Sequence, residues 1–76
     1  MSIRVKFFAS IAERTGCKEC AVEYREGMTV QDVWQTAAGA NAPRQVLMAI
    51  NMEYCEGGQG VADGDEVAFF PPVTGG

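Results

Sequence analysis

Seventy-six residues make one domain with a single modest core, since a chain of this size buries only about 60 % of its unfolded surface, and a second domain is excluded. Ten acidic residues against six basic ones give a net charge of -4, which repels nucleic-acid phosphates and anionic membranes. Histidine is absent and three cysteines complete neither a disulfide framework nor a familiar zinc set, while no apolar run approaches the roughly 20 residues of a membrane span or resembles a secretion signal. The expectation is a cytoplasmic protein, binding no metal, nucleic acid or membrane. A ligand pocket of the usual size, roughly 300 to 1,000 Å³, is hard to enclose in so small a core, so any chemistry calls for a partner.

In "SIRVKFF" the residues Ile3, Val5 and Phe7 alternate with Arg4, Lys6 and Phe8, the period of a half-buried strand. "SIAERTG" follows, where Ser10 and Glu13 fit a capping box and Gly16 a helix stop, predicting a short helix. "ECAVEYR" alternates again, with Cys20, Val22 and Tyr24 on one face and Glu19, Ala21, Glu23 and Arg25 on the other, which makes Cys20 a small buried side chain.

The main helix is predicted in "TVQDVWQTAAG", with Thr29 as cap, Asp32 three residues on and Gly39 as the stop. Val30, Val33, Trp34 and Ala37 form its apolar stripe, and Trp34 reads as the core anchor rather than a cofactor-stacking ring. Beyond the turn-rich "GANAPR", the run "VLMAIN" reads as a buried strand and "EYC" as a weaker one. "EGGQG" is a loop that lacks the Gly-Lys-Ser/Thr continuation of a phosphate cradle. After a turn at Asp63 and Gly64, "EVAFF" is the last strand, with Val67 and Phe69 facing one way and Glu66, Ala68 and Phe70 the other; Pro71 ends it because proline cannot donate to a ladder. Several strands around one substantial helix predict a mixed sheet packed on that helix, an α+β architecture.

"DGDEVAFFPPVTGG", Asp63 to Gly76, resembles the C-terminal signature of molybdopterin-synthase small subunits in the MoaD/ThiS family of ubiquitin-like β-grasp proteins, and "VKFFAS" is similar to the same family. The resemblance spans the chain, and Phe-Phe-Pro-Pro before Gly-Gly is its specific part. It implies a five-stranded β-grasp domain over residues 1–70 and an extended tail over residues 71–76. It also implies that an E1-like adenylyltransferase consumes ATP to adenylate Gly76, that a persulfide donor supplies sulfur to give a thiocarboxylate, and that no cofactor is bound. Docked on the large subunit of a heterotetrameric synthase, that group would donate sulfur to cyclic pyranopterin monophosphate.

The tail supports this chemistry on physical grounds. A terminal carboxylate is an anion at neutral pH and a poor target for nucleophiles, so it needs activation. Gly75 and Gly76 put no Cβ beside the reacting carbonyl and, with Val73 and Thr74, form a thin strand for threading a channel. Pro71 and Pro72 stiffen the exit, and six residues at about 3.3 Å each reach roughly 20 Å.

In a β-grasp fold the first and last strands are parallel neighbours, so Phe8 and Phe70 lie together on the otherwise polar face. With Tyr54 they are expected to form a docking patch at the base of Pro71 and Pro72. Folding of either ring into the monomer's own core is the alternative. "CKEC", Cys17 to Cys20, has redox or metal spacing but leads into a strand rather than opening a helix, and Cys55 adds no fourth ligand. Two function classes stay open, a sulfur carrier (for molybdopterin, or for thiamine, tRNA thiolation or cysteine) and a ubiquitin-like modifier joined through Gly76 to lysines.

Overall fold

The computed structural model describes residues 1–39 and 46–72. Along the chain run β1 (Ser2–Phe7), α1 (Ala9–Thr15), β2 (Glu19–Glu23), α2 (Val30–Ala38), β3 (Leu47–Ile50), β4 (Glu53–Cys55) and β5 (Glu66–Phe70). The strands form one sheet in the order β2-β1-β5-β3-β4. β1 and β5 are parallel, with Val5 opposite Val67 and Phe7 opposite Phe69, and the other pairs are antiparallel. This is the ubiquitin-like β-grasp arrangement.

Alternation decides which face of the sheet is the core. Ile3, Val5 and Phe7 of β1 and Val67 and Phe69 of β5 are buried, and α2 covers them with Val30, Val33 and Trp34. Phe7 and Phe69 stack at 5.7 Å, and Trp34 meets both edge-on, at 5.9 Å from Phe7 and 4.9 Å from Phe69. Edge-to-face pairs of this kind contribute about 0.5 to 1.5 kcal/mol each beyond the area they bury. Trp34 is the core anchor that its place in the helical stripe implies. Its buried indole Nε1 has no hydrogen-bond partner among the described residues.

The start of α2 is closed by hydrogen bonds from three directions. Thr29 Oγ1 accepts from the Asp32 amide at 3.2 Å, and Asp32 Oδ2 accepts from the Thr29 amide at 3.0 Å, a reciprocal capping box. The "EGGQG" loop supplies the rest: the Val30 amide donates to the Gln59 carbonyl and the Gln31 amide to the Gly57 carbonyl, both at 2.9 Å. The amide donors of this first turn are thereby occupied, so the glycine loop is a helix cap and not a phosphate cradle. Gly39 closes the other end with φ 72°, a left-handed conformation that costs glycine nothing.

α1 differs from expectation at its start. It opens at Ala9 with Phe8 at the cap and no side-chain capping bond, so Ser10 and Glu13 form no capping box. The cause is the sheet: the Phe8 amide still donates to the Phe69 carbonyl of β5, while the Phe8 carbonyl accepts from Ile11 and Ala12. The strand runs straight into the helix, which places Ser10 inside it. Gly16 ends α1 as expected, with φ 73°. β2 keeps its predicted faces, although Cys20 is half-buried rather than enclosed because β2 is an edge strand. "VLMAIN" is also less buried than expected: Met48 and Ile50 only partly cover the core, and Ala49 is buried on the opposite face.

The two hydrogen bonds from Thr29 hold the Asp32 carboxyl below its ordinary value of 3.8. A depressed carboxylate contributes stability in full above its ordinary value and loses it as pH falls through the lowered one. Thr29→Ala is expected to cost about 1 kcal/mol, or roughly 4 to 8 °C in Tm for a domain this size. Thermal unfolding followed by circular dichroism at neutral pH should show that deficit, and the gap to the parent protein should narrow once acid protonates Asp32.

Candidate functional site

The face opposite α2 carries a row of side chains set by strand register. Lys6 lies opposite Ala68, Ala68 opposite Ala49, and Ala49 opposite Tyr54, so β1, β5, β3 and β4 each contribute one residue. At about 4.8 Å per strand the row spans roughly 14 Å. Its two central members are alanines, and the missing bulk leaves a trough between Lys6 and Tyr54. In the next row Phe70 sits opposite Leu47, with Phe8 one residue beyond the Phe7–Phe69 pair.

The resulting groove has a volume of about 520 Å³ and is open to solvent. Phe8, Tyr54, Phe70 and Met52 supply its apolar walls, and the alanines its floor. Phe8 is 48 % exposed, Tyr54 75 % and Met52 91 %, while Phe70 is half-buried against Tyr54 with ring centroids 5.7 Å apart. So much exposed aromatic and thioether surface in one patch is a mark of a protein-binding face. Lys6 Nζ and Glu66 form an ion pair at 3.3 Å on the rim, half-exposed and therefore worth little to stability.

Each wall is held by backbone rather than by chance packing. Phe8 is fixed between its amide bond to β5 and the first carbonyl of α1. Met52 stands at the tip of the β3–β4 hairpin, whose two linking residues Asn51 and Met52 both have positive φ, 49° and 71°. Asn51 stabilises that turn by donating to Asp65 Oδ1 and accepting from the Glu66 amide, both at 3.0 Å.

Of the residues singled out from sequence, Phe8, Tyr54 and Phe70 are brought together on this face, and neither phenylalanine folds into the core. Pro71 and Pro72 follow Phe70 directly, both half-buried, so the chain leaves the sheet at the groove's aromatic end. Val73, Thr74, Gly75 and Gly76 lie outside the described residues. Sequence reasoning missed Ala49, Met52 and the Lys6–Glu66 pair. Ala68 was placed on the correct face, but the trough appears only once register sets two alanines side by side.

None of the three cysteines lines the groove. Cys17 and Cys20 bracket the entry to β2, and Cys55 ends β4 at the opposite edge of the sheet. Burial, then the neighbouring Cys17, raises the Cys20 thiol pKa, and burial raises that of Cys55. Neither is poised as a reactive thiolate at neutral pH.

Comparison with known proteins accords with this geometry. The model of the ThiS family matches residues 5–76. The chain is 39 % identical to the molybdopterin synthase sulfur carrier subunit of Escherichia coli (strain K12), covering 97 % of this chain and 99 % of that one. A crystal structure of SAMP1 from Haloferax volcanii superposes with a TM-score of 0.84 at 30 % identity, covering all of both chains. One of H. volcanii small archaeal modifier protein 1 superposes with a TM-score of 0.81 at 28 % identity, covering 95 % of this chain and 98 % of the other.

An outward ring contributes little to the monomer. Phe8→Arg is expected to change unfolding free energy by no more than about 0.5 kcal/mol. Phe70→Arg should cost about 1 kcal/mol, the scale of its contact with Tyr54. Urea titration checks both, and a loss of several kcal/mol at Phe8 would place that ring in the core after all.

Proposed function

This chain belongs to the ThiS family, and we propose that it is the sulfur-carrier subunit of a molybdopterin synthase. The observation that carries the proposal is the coincidence of a full-length match to a named sulfur carrier with an aromatic groove at the root of the "PPVTGG" tail. The groove docks the body, residues 1–70, on the large synthase subunit and on the activating enzyme. The tail, residues 71–76, delivers its end into their active sites.

The chemistry follows from what the chain has and lacks. Without histidine it has no ready general base, so the catalytic groups belong to its partners. An E1-like enzyme joins the Gly76 carboxylate to AMP at the expense of ATP, which turns an inert anion into an acyl group with a good leaving group. The terminal sulfur of a persulfide donor attacks the acyl adenylate and expels AMP, giving an acyl disulfide. A second thiol then reduces that S–S bond, which releases the Gly76 thiocarboxylate and leaves the donor sulfur in a disulfide. On the large subunit that sulfur passes to cyclic pyranopterin monophosphate, and a second charged copy completes the dithiolene. Glycine at both terminal positions keeps the carbonyl open to attack in each of these sites.

The name of the Haloferax relative, a small archaeal modifier protein, favours one second reading, conjugation of Gly76 to lysines of other proteins. Both readings need the same adenylation and the same tail. Intact mass after co-expression with an activating enzyme separates them: a carrier shows one terminal oxygen replaced by sulfur, a modifier shows conjugates of higher mass. Delivery to thiamine, thiolated tRNA or cysteine is separated by supplying each acceptor in turn.

Three outcomes are expected. Adding an uncleavable residue after Gly76, or deleting Gly76, abolishes thiocarboxylate formation and leaves the fold intact; a tagged protein that still supported molybdopterin synthesis would falsify the assignment. Phe8→Arg and Phe70→Arg weaken binding to the large subunit at least about tenfold, because each sets a charge against an apolar partner surface. Replacing Cys17, Cys20 and Cys55 together by alanine preserves single-turnover conversion of the pterin precursor by preformed thiocarboxylate, since sulfur travels on Gly76. A fall of about a hundredfold, some 2.7 kcal/mol, would put a thiol on the path.

A further inference from the structure

Cys17 and Cys20 are the chemistry-bearing pair that sulfur carriage on Gly76 leaves unused. They stand three residues apart where α1 gives way to β2, across a bend at Lys18. Gly16 turns the backbone left-handed just before Cys17, whose amide donates to the Ala12 carbonyl at 3.2 Å, so the end of α1 fixes the first cysteine. Cys20 is fixed by the sheet, where it pairs with Val5. Both side chains are half-buried against the core, on the same side of the segment. In a regular strand residues three apart point to opposite faces, so it is the bend at Lys18 that lets both side chains pack on the same core. The Cys17 Sγ donates to the Glu19 carbonyl at 3.1 Å, folding back along the segment toward the strand that carries Cys20.

No third group joins them. Among the described residues no cluster of three His, Cys, Asp or Glu side chains could hold a metal ion. Cys55 sits on β4, four strands from β2, on the order of 19 Å away at about 4.8 Å per strand. The pair is therefore a dithiol with no further metal-ligating side chain clustered on it among the described residues.

We infer that Cys17 and Cys20 form a redox couple that closes into an intramolecular disulfide by exchange with a low-molecular-weight disulfide. One thiolate attacks the small disulfide, forming a mixed disulfide and releasing one small thiolate. The second cysteine then attacks the protein sulfur of that mixed disulfide and expels the other small thiolate. Two protein thiols lose two electrons and two protons, and one small disulfide is reduced to two thiols. The closed ring contains Lys18 and Glu19, which with Phe8 line the recess beside the candidate docking face, so the couple lies next to that face and outside the sulfur path.

The test equilibrates the full chain with a series of oxidised-to-reduced glutathione ratios, quenches in acid, alkylates the remaining thiols and measures intact and peptide masses. The expected product is lighter by two hydrogens, takes up a single alkyl group at Cys55, and yields a fragment linking Cys17 to Cys20. Cys55→Ala should close at the same ratio as the parent, and Cys20→Ala should instead accumulate glutathione on Cys17. Because the fold holds the thiols together, half-closure should need a glutathione ratio about tenfold lower in the native protein than in the urea-unfolded chain. Three thiols that alkylate at every ratio, glutathione adducts that persist without closing, a link to Cys55, or closure no easier in the folded protein would each overturn the inference.

Discussion

The parallel pairing of β1 with β5 is the constraint on which the rest of the molecule depends. It puts Phe7 beside Phe69 at the centre of the sheet, where Trp34 closes over both rings. Because strand side chains alternate, committing Phe7 and Phe69 to the core sends Phe8 and Phe70 to the opposite face. The aromatic groove is thus the reverse side of the core, produced by the same two strands. A register slip of one residue would exchange the two sets and destroy both at once.

A small core leaves few spare interactions, and the chain compensates by using backbone groups locally. The first turn of α2 draws on Thr29, Asp32 and the carbonyls of Gly57 and Gln59. Asn51 and Asp65 together tie the β3–β4 turn to the start of β5. These bonds matter for the groove because the hairpin tip carries Met52 and the strand carries Phe70. Walls built on such supports keep their shape without a partner, which reduces the ordering cost of association.

Much of this was legible in the sequence because period is a strong signal where burial is one-sided. The alternation of Ile3, Val5 and Phe7, the Thr29 and Asp32 capping pair and the terminating Gly16 and Gly39 each appear where their patterns place them. Ser10 misled because a capping pattern is local, whereas the start of α1 is decided by a hydrogen bond to a strand more than fifty residues later in the chain. The burial of β3 was misjudged for a related reason: an apolar run does not reveal which of its faces looks onto an open sheet. The "EGGQG" carbonyls and the Ala49–Ala68 trough were illegible because both exist only through pairing of distant segments.

The position of β5 bears most directly on the proposed chemistry. It is the central strand, with ladders along both edges, pairing with β1 through Phe69 and with β3 through Phe70. A chain leaving an edge strand would begin from a base that can fray; one leaving β5 begins from the most constrained strand of the fold. Pro71 and Pro72 follow at once, each limited to φ near -65°, so the direction set by the sheet is carried into the first residues of the exit. In the sulfur-carrier reading this rigidity is what makes a remote docking face useful. Contacts at Phe8, Tyr54 and Phe70 fix the body on a partner, and a stiff root converts that placement into a defined entry point for Gly76. A catalytic group can then belong wholly to the partner while this chain supplies only a well-aimed carboxylate.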